Sequence, residues 1–135
     1  MKKQFAVLMV GMLMASWVIP SLAVAKGTSP LDGKTFVGRI GKQGQTTGDP
    51  DQLIFKDGTL HSTACDPYGF KEGSYSAAPQ GDGKGVAFRA ETNSPTDGRM
   101  IWKGTISGRN LEGTATWLKP GQEPVEHWVK AEQKE

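Results

Sequence analysis

Cys65 is the chain's only cysteine and the side chain best suited to nucleophilic chemistry. A cysteine nucleophile needs a base within hydrogen-bond reach and donors for the developing oxyanion. His61 lies four residues earlier, which is about 13 Å along an extended strand at ~3.3 Å per residue. His127 would have to approach through the tertiary fold. The spacing therefore disfavours a catalytic dyad, and we predict a protein that is not an enzyme.

The metal-ligating and glycine-rich residues also form no recognisable site. A short ligand pair such as C-x-x-C or H-x-x-x-H is missing among the candidates, which are His61, Cys65, Asp66 and His127. The stretch 81–85 is rich in glycine, but it lacks the Ser or Thr after its lysine that a phosphate-binding loop requires. We predict no metal and no cofactor.

Large aromatic side chains are better candidates, as the wall of a pocket for a small apolar molecule. The predicted ligand-binding residues are Trp102, Trp117, Tyr75, Phe55 and Phe88. They form a common site only if strands bring them to one interior. An eight-stranded barrel is wide enough either to be filled by side chains or to hold one small ligand, so the same residues also suit a solid core.

Turn-forming residues divide the chain at regular intervals. Their centres lie about 11 to 14 residues apart, close to the spacing typical of all-β sandwiches and barrels. Seven turns separate eight segments, and none of the segments has the apolar period of a helix. The turns lie in 41–48, 57–58, 66–69, 79–85, 94–98, 108–109 and 120–122.

Several segments alternate apolar and polar residues, as half-buried strands do. Met100, Trp102 and Ile106 share one face, and the charged neighbours occupy the other. Asp57-Gly58 favours a type I′ hairpin, and Gly108-Arg109 suits a type II′ turn. The predicted inward-facing set is Leu53, Phe55, Leu60, Tyr75, Phe88, Met100, Trp102, Ile106, Leu111, Trp117, Val125 and Val129.

These segments predict an all-β fold, an eight-stranded antiparallel up-and-down barrel with its apolar face inward. Closure removes exposed strand edges, and a β-sandwich is the alternative. We expect the first strand over 35–40, the last over 124–131, and a third strand that continues through Ala64. Charges such as Lys103 argue against a lipid-facing barrel, because Arg or Lys facing lipid near mid-membrane costs ~2–4 kcal/mol.

Residues 1–25 have the pattern of a bacterial signal peptide. Lys2 and Lys3 precede an uncharged apolar run from Phe5 to Ile19, and Ala23-Val24-Ala25 provides small residues for cleavage. We therefore predict one barrel domain over 26–135, located in the periplasm or secreted, with no membrane span once the signal is removed.

The charge balance excludes some partners. Without Lys2 and Lys3 the sixteen basic residues fall to fourteen, which equals the fourteen acidic residues. A basic footprint for nucleic acid is therefore missing. Cys65 cannot form a disulfide within the chain, which leaves it buried and inert, paired with a second chain, or reactive.

The opening Leu31-Asp32-Gly33-Lys34-Thr35-Phe36 is followed by a meander over nearly all the remaining sequence. In these features the chain resembles the calycin-type barrels, which include lipocalins, fatty-acid-binding proteins and avidins. Lipocalins carry G-x-W in this opening, whereas Gly33-Lys34-Thr35-Phe36 has no tryptophan. The resemblance implies a ligand bound inside the barrel.

Three functions follow from this reading, in order of preference. The first is binding of a small apolar molecule. The second is a loop-mediated protein-binding module, such as an inhibitor of an extracytoplasmic enzyme, which would contact its partner through 41–48 and 66–70 and expose Tyr68 or Phe70. The third is a Cys65-dependent enzyme.

Overall fold

A computed structural model describes residues 29–135 as an eight-stranded antiparallel barrel. The predicted signal peptide, residues 1–25, lies outside the described residues. Each strand pairs with its neighbours in sequence, and the last strand pairs with the first, so the up-and-down barrel is confirmed and the sandwich is not formed. The strands are β1 (Thr35–Lys42), β2 (Asp49–Lys56), β3 (Thr59–Ser62), β4 (Gly73–Pro79), β5 (Gly85–Ser94), β6 (Gly98–Ser107), β7 (Asn110–Leu118) and β8 (Val125–Gln133).

The alternation of apolar residues places one face of each strand in a shared interior. On β6 and β7, for example, Trp102 lies opposite Ala115 and Ile106 lies opposite Leu111, and all four are buried. The predicted inward set is buried except for Trp117 and Val125, which are half-buried. The period of two in the sequence therefore determines which residues form the core.

One end of the barrel is closed by the turn that precedes β1. Leu31 in this turn is buried in the core. The Asp32 carboxylate accepts hydrogen bonds from the Gly58 N–H and from the Tyr75 hydroxyl, at 3.0 and 2.7 Å. Asp57 and Gly58 both have positive φ, as the predicted type I′ hairpin requires. This end is therefore held shut by side chains.

The opposite end carries the β1–β2 connection and a short 3-10 helix, Thr63–Tyr68, between β3 and β4. The expected continuation of β3 through Ala64 is wrong, because the chain leaves the strand at Ser62 and turns into this helix. Gly69 ends the helix in the left-handed conformation, with φ of 78°. Strands β1 and β8 also extend two residues beyond their predicted ends, to Lys42 and Gln133. No helix within 29–135 has the length and hydropathy of a membrane span.

Trp102 lies at the centre of the interior with one polar partner. Its side chain is 1% exposed, and its indole Nε1 donates a hydrogen bond to Thr92 Oγ1 at 3.0 Å. Thr92 is equally buried. Since buried donors without an acceptor are costly, this bond allows a tryptophan to fill the core.

We expect Thr92→Val to lower the free energy of unfolding by about 1–3 kcal/mol, because it keeps the shape of the side chain but leaves the indole N–H of Trp102 unpaired. The measurement is urea denaturation followed by tryptophan fluorescence. The matched control is Thr105→Val on the exposed face of β6, which should change stability by no more than about 0.5 kcal/mol. Equal stability of the two variants would contradict the prediction.

Candidate functional site

A cleft of about 650 Å³ lies at the end of the barrel that the N-terminal turn does not close. It lies between the 3-10 helix and residues 41–49, which we call the rim segment. The buried and half-buried lining is mostly apolar and comprises Ile40, Ala64, Phe70, Met100 and Trp117. The more exposed lining is polar and comprises Lys42, Gln45, Thr47, Asp49 and His127. The volume falls within the range of about 300–1,000 Å³ usual for small-molecule sites.

The five aromatic residues predicted to bind a ligand are divided between this cleft and the core. Trp117 lines the cleft. Phe55 packs edge-on against Tyr75 and Phe88, with ring centroids 4.9 and 5.4 Å apart, and Trp102 is as deeply buried as these three. Burial raises the pKa of Tyr75 to about 12. The interior below the cleft is therefore packed, and direct ligand contact by these four residues stays a prediction.

Most of the cleft residues were not among the predicted site residues. The rim segment was read as a turn, and the 3-10 helix was not predicted. A usable sequence feature did exist, since Gly41, Gly44 and Gly48 are clustered in one connection. Such clusters mark close approach of the backbone to another group.

Asp51 supports the 3-10 helix from inside the barrel. Its carboxylate is 3% exposed and accepts hydrogen bonds from the Ser62 hydroxyl at 2.8 Å and from the Ala64 N–H at 3.1 Å. The Ala64 N–H lies in the first turn of the helix, where backbone donors have no partner within the helix. Burial raises the pKa of Asp51 above its ordinary value, against the opposing effect of these hydrogen bonds.

Cys65 is carried by the same helix to the wall of the cleft. Its thiol is 7% exposed and accepts a hydrogen bond from the Ser62 hydroxyl at 3.5 Å. Burial raises the pKa of Cys65 to about 11, so the thiol is protonated at neutral pH. The thiolate is the nucleophilic form of cysteine, and this environment therefore suppresses its reactivity.

The two histidines have other partners. His61 Nε2 lies 2.6 Å from Asp66 Oδ1, an approach made possible because the 3-10 helix folds the chain back. His127 Nδ1 lies 3.2 Å from the Ala115 carbonyl oxygen. Within residues 29–135, no group of three or more His, Cys, Asp and Glu side chains is arranged to hold a metal ion.

The far end of the 3-10 helix is fixed to the β5–β6 turn. The Ser94 hydroxyl donates to the Tyr68 carbonyl oxygen at 2.7 Å and accepts from the Asp97 N–H at 3.1 Å. Tyr68 itself is 55% exposed at the edge of the cleft. The helix is therefore held at both ends, which gives the cleft one fixed wall. No family model matches the chain, and no curated protein or solved structure matches it.

Two variants of Asp51 test the buried carboxylate. Asp51→Ala should lower the free energy of unfolding by about 1–3 kcal/mol at pH 7, because Ser62 and Ala64 lose their acceptor. Asp51→Asn keeps an acceptor and carries no charge. A raised folded-state pKa favours the protonated carboxyl, whose stabilisation is complete below the ordinary pKa and is lost as pH rises through the folded-state pKa.

We therefore expect Asp51→Asn to be more stable than the parent protein at pH 7, by a margin that shrinks as pH falls toward 3.8, the ordinary value for aspartate. Urea denaturation across this range measures the difference. A margin that does not change with pH would contradict the assigned cause.

Alkylation measures the state of the Cys65 thiol. With a pKa of about 11, only about one thiol in a thousand is ionised at pH 8, compared with about a quarter for a free cysteine. We expect iodoacetamide to modify the native protein at least about 100-fold more slowly than the urea-unfolded chain, as followed by mass spectrometry. Equal rates in the two states would show that the thiol is neither buried nor shifted.

Proposed function

We propose that this protein binds a small, largely apolar molecule in the cleft at the open end of the barrel and does not transform it chemically. The supporting observation is the division of the cleft into a buried apolar part and an exposed polar part. This arrangement is typical of small-molecule sites, where apolar walls provide contact and a few polar groups orient the ligand.

The apolar part of the ligand would contact Trp117, Met100 and Phe70, which line the cleft. A polar group at the other end of the ligand would lie near His127 and Lys42, which are directly paired across β1 and β8. With the His127 Nδ1 proton directed at the Ala115 carbonyl, Nε2 is the ring nitrogen that accepts a hydrogen bond. The ligand class is therefore an apolar molecule with one polar end.

The barrel architecture also supports this proposal. An eight-stranded up-and-down meander is compatible with the calycin-type barrels that the N-terminal opening resembles, and that group implies ligand binding within the barrel. We extend the proposal to location, with residues 1–25 acting as a cleaved export signal and the barrel acting in the periplasm or outside the cell. Its support is the positive start, apolar run and small cleavage residues of this segment.

A titration with 1-anilinonaphthalene-8-sulfonate tests the cleft as a binding site. Ala64→Phe places a ring in the cleft, and we expect it to weaken binding of the probe by about tenfold, equivalent to about 1.4 kcal/mol. The matched control is Ala87→Phe on the exposed face of β5, which should bind the probe as the parent protein does. The same affinity in both variants would refute binding in the cleft.

A second candidate is supported by the exposed ring of Tyr68. Tyrosine is enriched in protein interfaces, and this side chain lies on the predicted contact stretch 66–70, whereas Phe70 is buried. Tyr68→Ala separates the two functions: a protein-binding module would lose its partner in native mass spectrometry, and the small-molecule site would retain most of its affinity for the probe.

A further inference from the structure

We infer that Trp128, on the outer face of the barrel, is a positioning residue that holds the rim segment and thereby sets the affinity of the cleft. This inference rests on the proposed function. The rim segment supplies a large part of the cleft lining, namely Gly41, Lys42, Gln45, Thr47, Gly48 and Asp49. Trp128 is not among the lining residues, so its effect on a ligand would be indirect.

Trp128 reaches the rim segment from outside. It lies on β8 directly opposite Gly41 and alternates with His127, which lines the cleft, and Val129, which is buried in the core. Its indole Nε1 donates a hydrogen bond to the Gln45 carbonyl oxygen at 2.9 Å. The side chain is half-buried although it is on the outer face, because the rim segment folds against it.

Two glycines make room for the ring. A Cβ atom on Gly41 would lie 2.6 Å from Trp128 Cζ2, and one on Gly48 would lie 2.9 Å from Cη2. Any side chain at these positions would displace the indole. The ring therefore packs directly on the backbone at both ends of the segment and hydrogen-bonds its middle.

Few other contacts hold the tip of the rim segment. Gln43 N donates to the Glu126 carbonyl and Gln45 N donates to the Lys42 carbonyl, each at 3.0 Å. The Arg39 guanidinium donates to the Gly48 carbonyl at 3.0 Å. Residues 42–47 are all exposed, so burial contributes little to their order.

The consequence for binding follows from preorganisation. A ligand that must order a loose wall loses affinity in proportion to the freedom it removes. With the indole in place, this cost is met when the protein folds. Without it, the ligand must order the rim segment, and its affinity falls although no contact to the ligand is lost.

The test uses Trp128→Leu, which removes ring and donor, and Trp128→Phe, which keeps a ring but cannot donate. The matched control is Lys130→Leu, an exposed outward position on the same strand. Amide hydrogen exchange of residues 43–48 is measured first, without any added probe. We expect Trp128→Leu to accelerate this exchange by about 2- to 10-fold, the factor that one hydrogen bond of ordinary net strength provides, with β5 and β6 unchanged.

Affinity for 1-anilinonaphthalene-8-sulfonate should fall by a similar factor in Trp128→Leu and by a smaller one in Trp128→Phe. Exchange in 43–48 equal to that of Lys130→Leu would overturn the inference, as would faster exchange with unchanged affinity. If Trp128→Leu does not fold, as judged by far-UV circular dichroism, Trp128→Phe decides by the same two measurements. Absence of probe binding to the parent protein would refute the proposed function, while the exchange result would still show whether Trp128 holds the segment.

Discussion

The pairing of β8 with β1 is the constraint on which the rest of the structure depends. It converts a meander into a closed surface with no free edge and defines an interior that all eight strands share. The two strands approach so closely that a Cβ atom on Gly38 would lie 1.9 Å from the Lys130 carbonyl oxygen. Only glycine tolerates this approach. Closure also creates two distinct ends, one closed by Leu31 and one open as the cleft.

The two walls of the cleft are held in opposite ways. The 3-10 helix is supported from inside by Asp51, a buried carboxylate whose charge is costly but whose acceptors satisfy the start of the helix. The rim segment is held from outside by Trp128, whose ring is amply accommodated by two glycines. Both supports fix backbone groups of the walls. The walls thus owe their positions to residues of the neighbouring strands.

The strands and the core were predictable because each depends on local alternation and turn chemistry. Trp102 and Ile106 point inward because their neighbours are polar, and Asp57-Gly58 specifies a hairpin whatever surrounds it. The 3-10 helix was not predictable, since its first turn is stabilised by Asp51, which lies on another strand. Trp128 reads as an ordinary outward residue until β1 is placed beside β8. The site depends on contacts between distant segments, which a single sequence does not reveal.

The connectivity of the barrel has a consequence for how it assembles. Every ladder but one joins strands adjacent in sequence, and only β1 with β8 brings together distant parts of the chain. Loop-closure entropy makes such a ladder the slowest to form. Until β8 arrives, β1 is an unpaired edge. Arg39 on β1 and Lys130 on β8 face each other across the finished seam, and charges of this kind discourage an open edge from recruiting another molecule. Their mutual repulsion in the native barrel is the counterpart of protection against aggregation during folding.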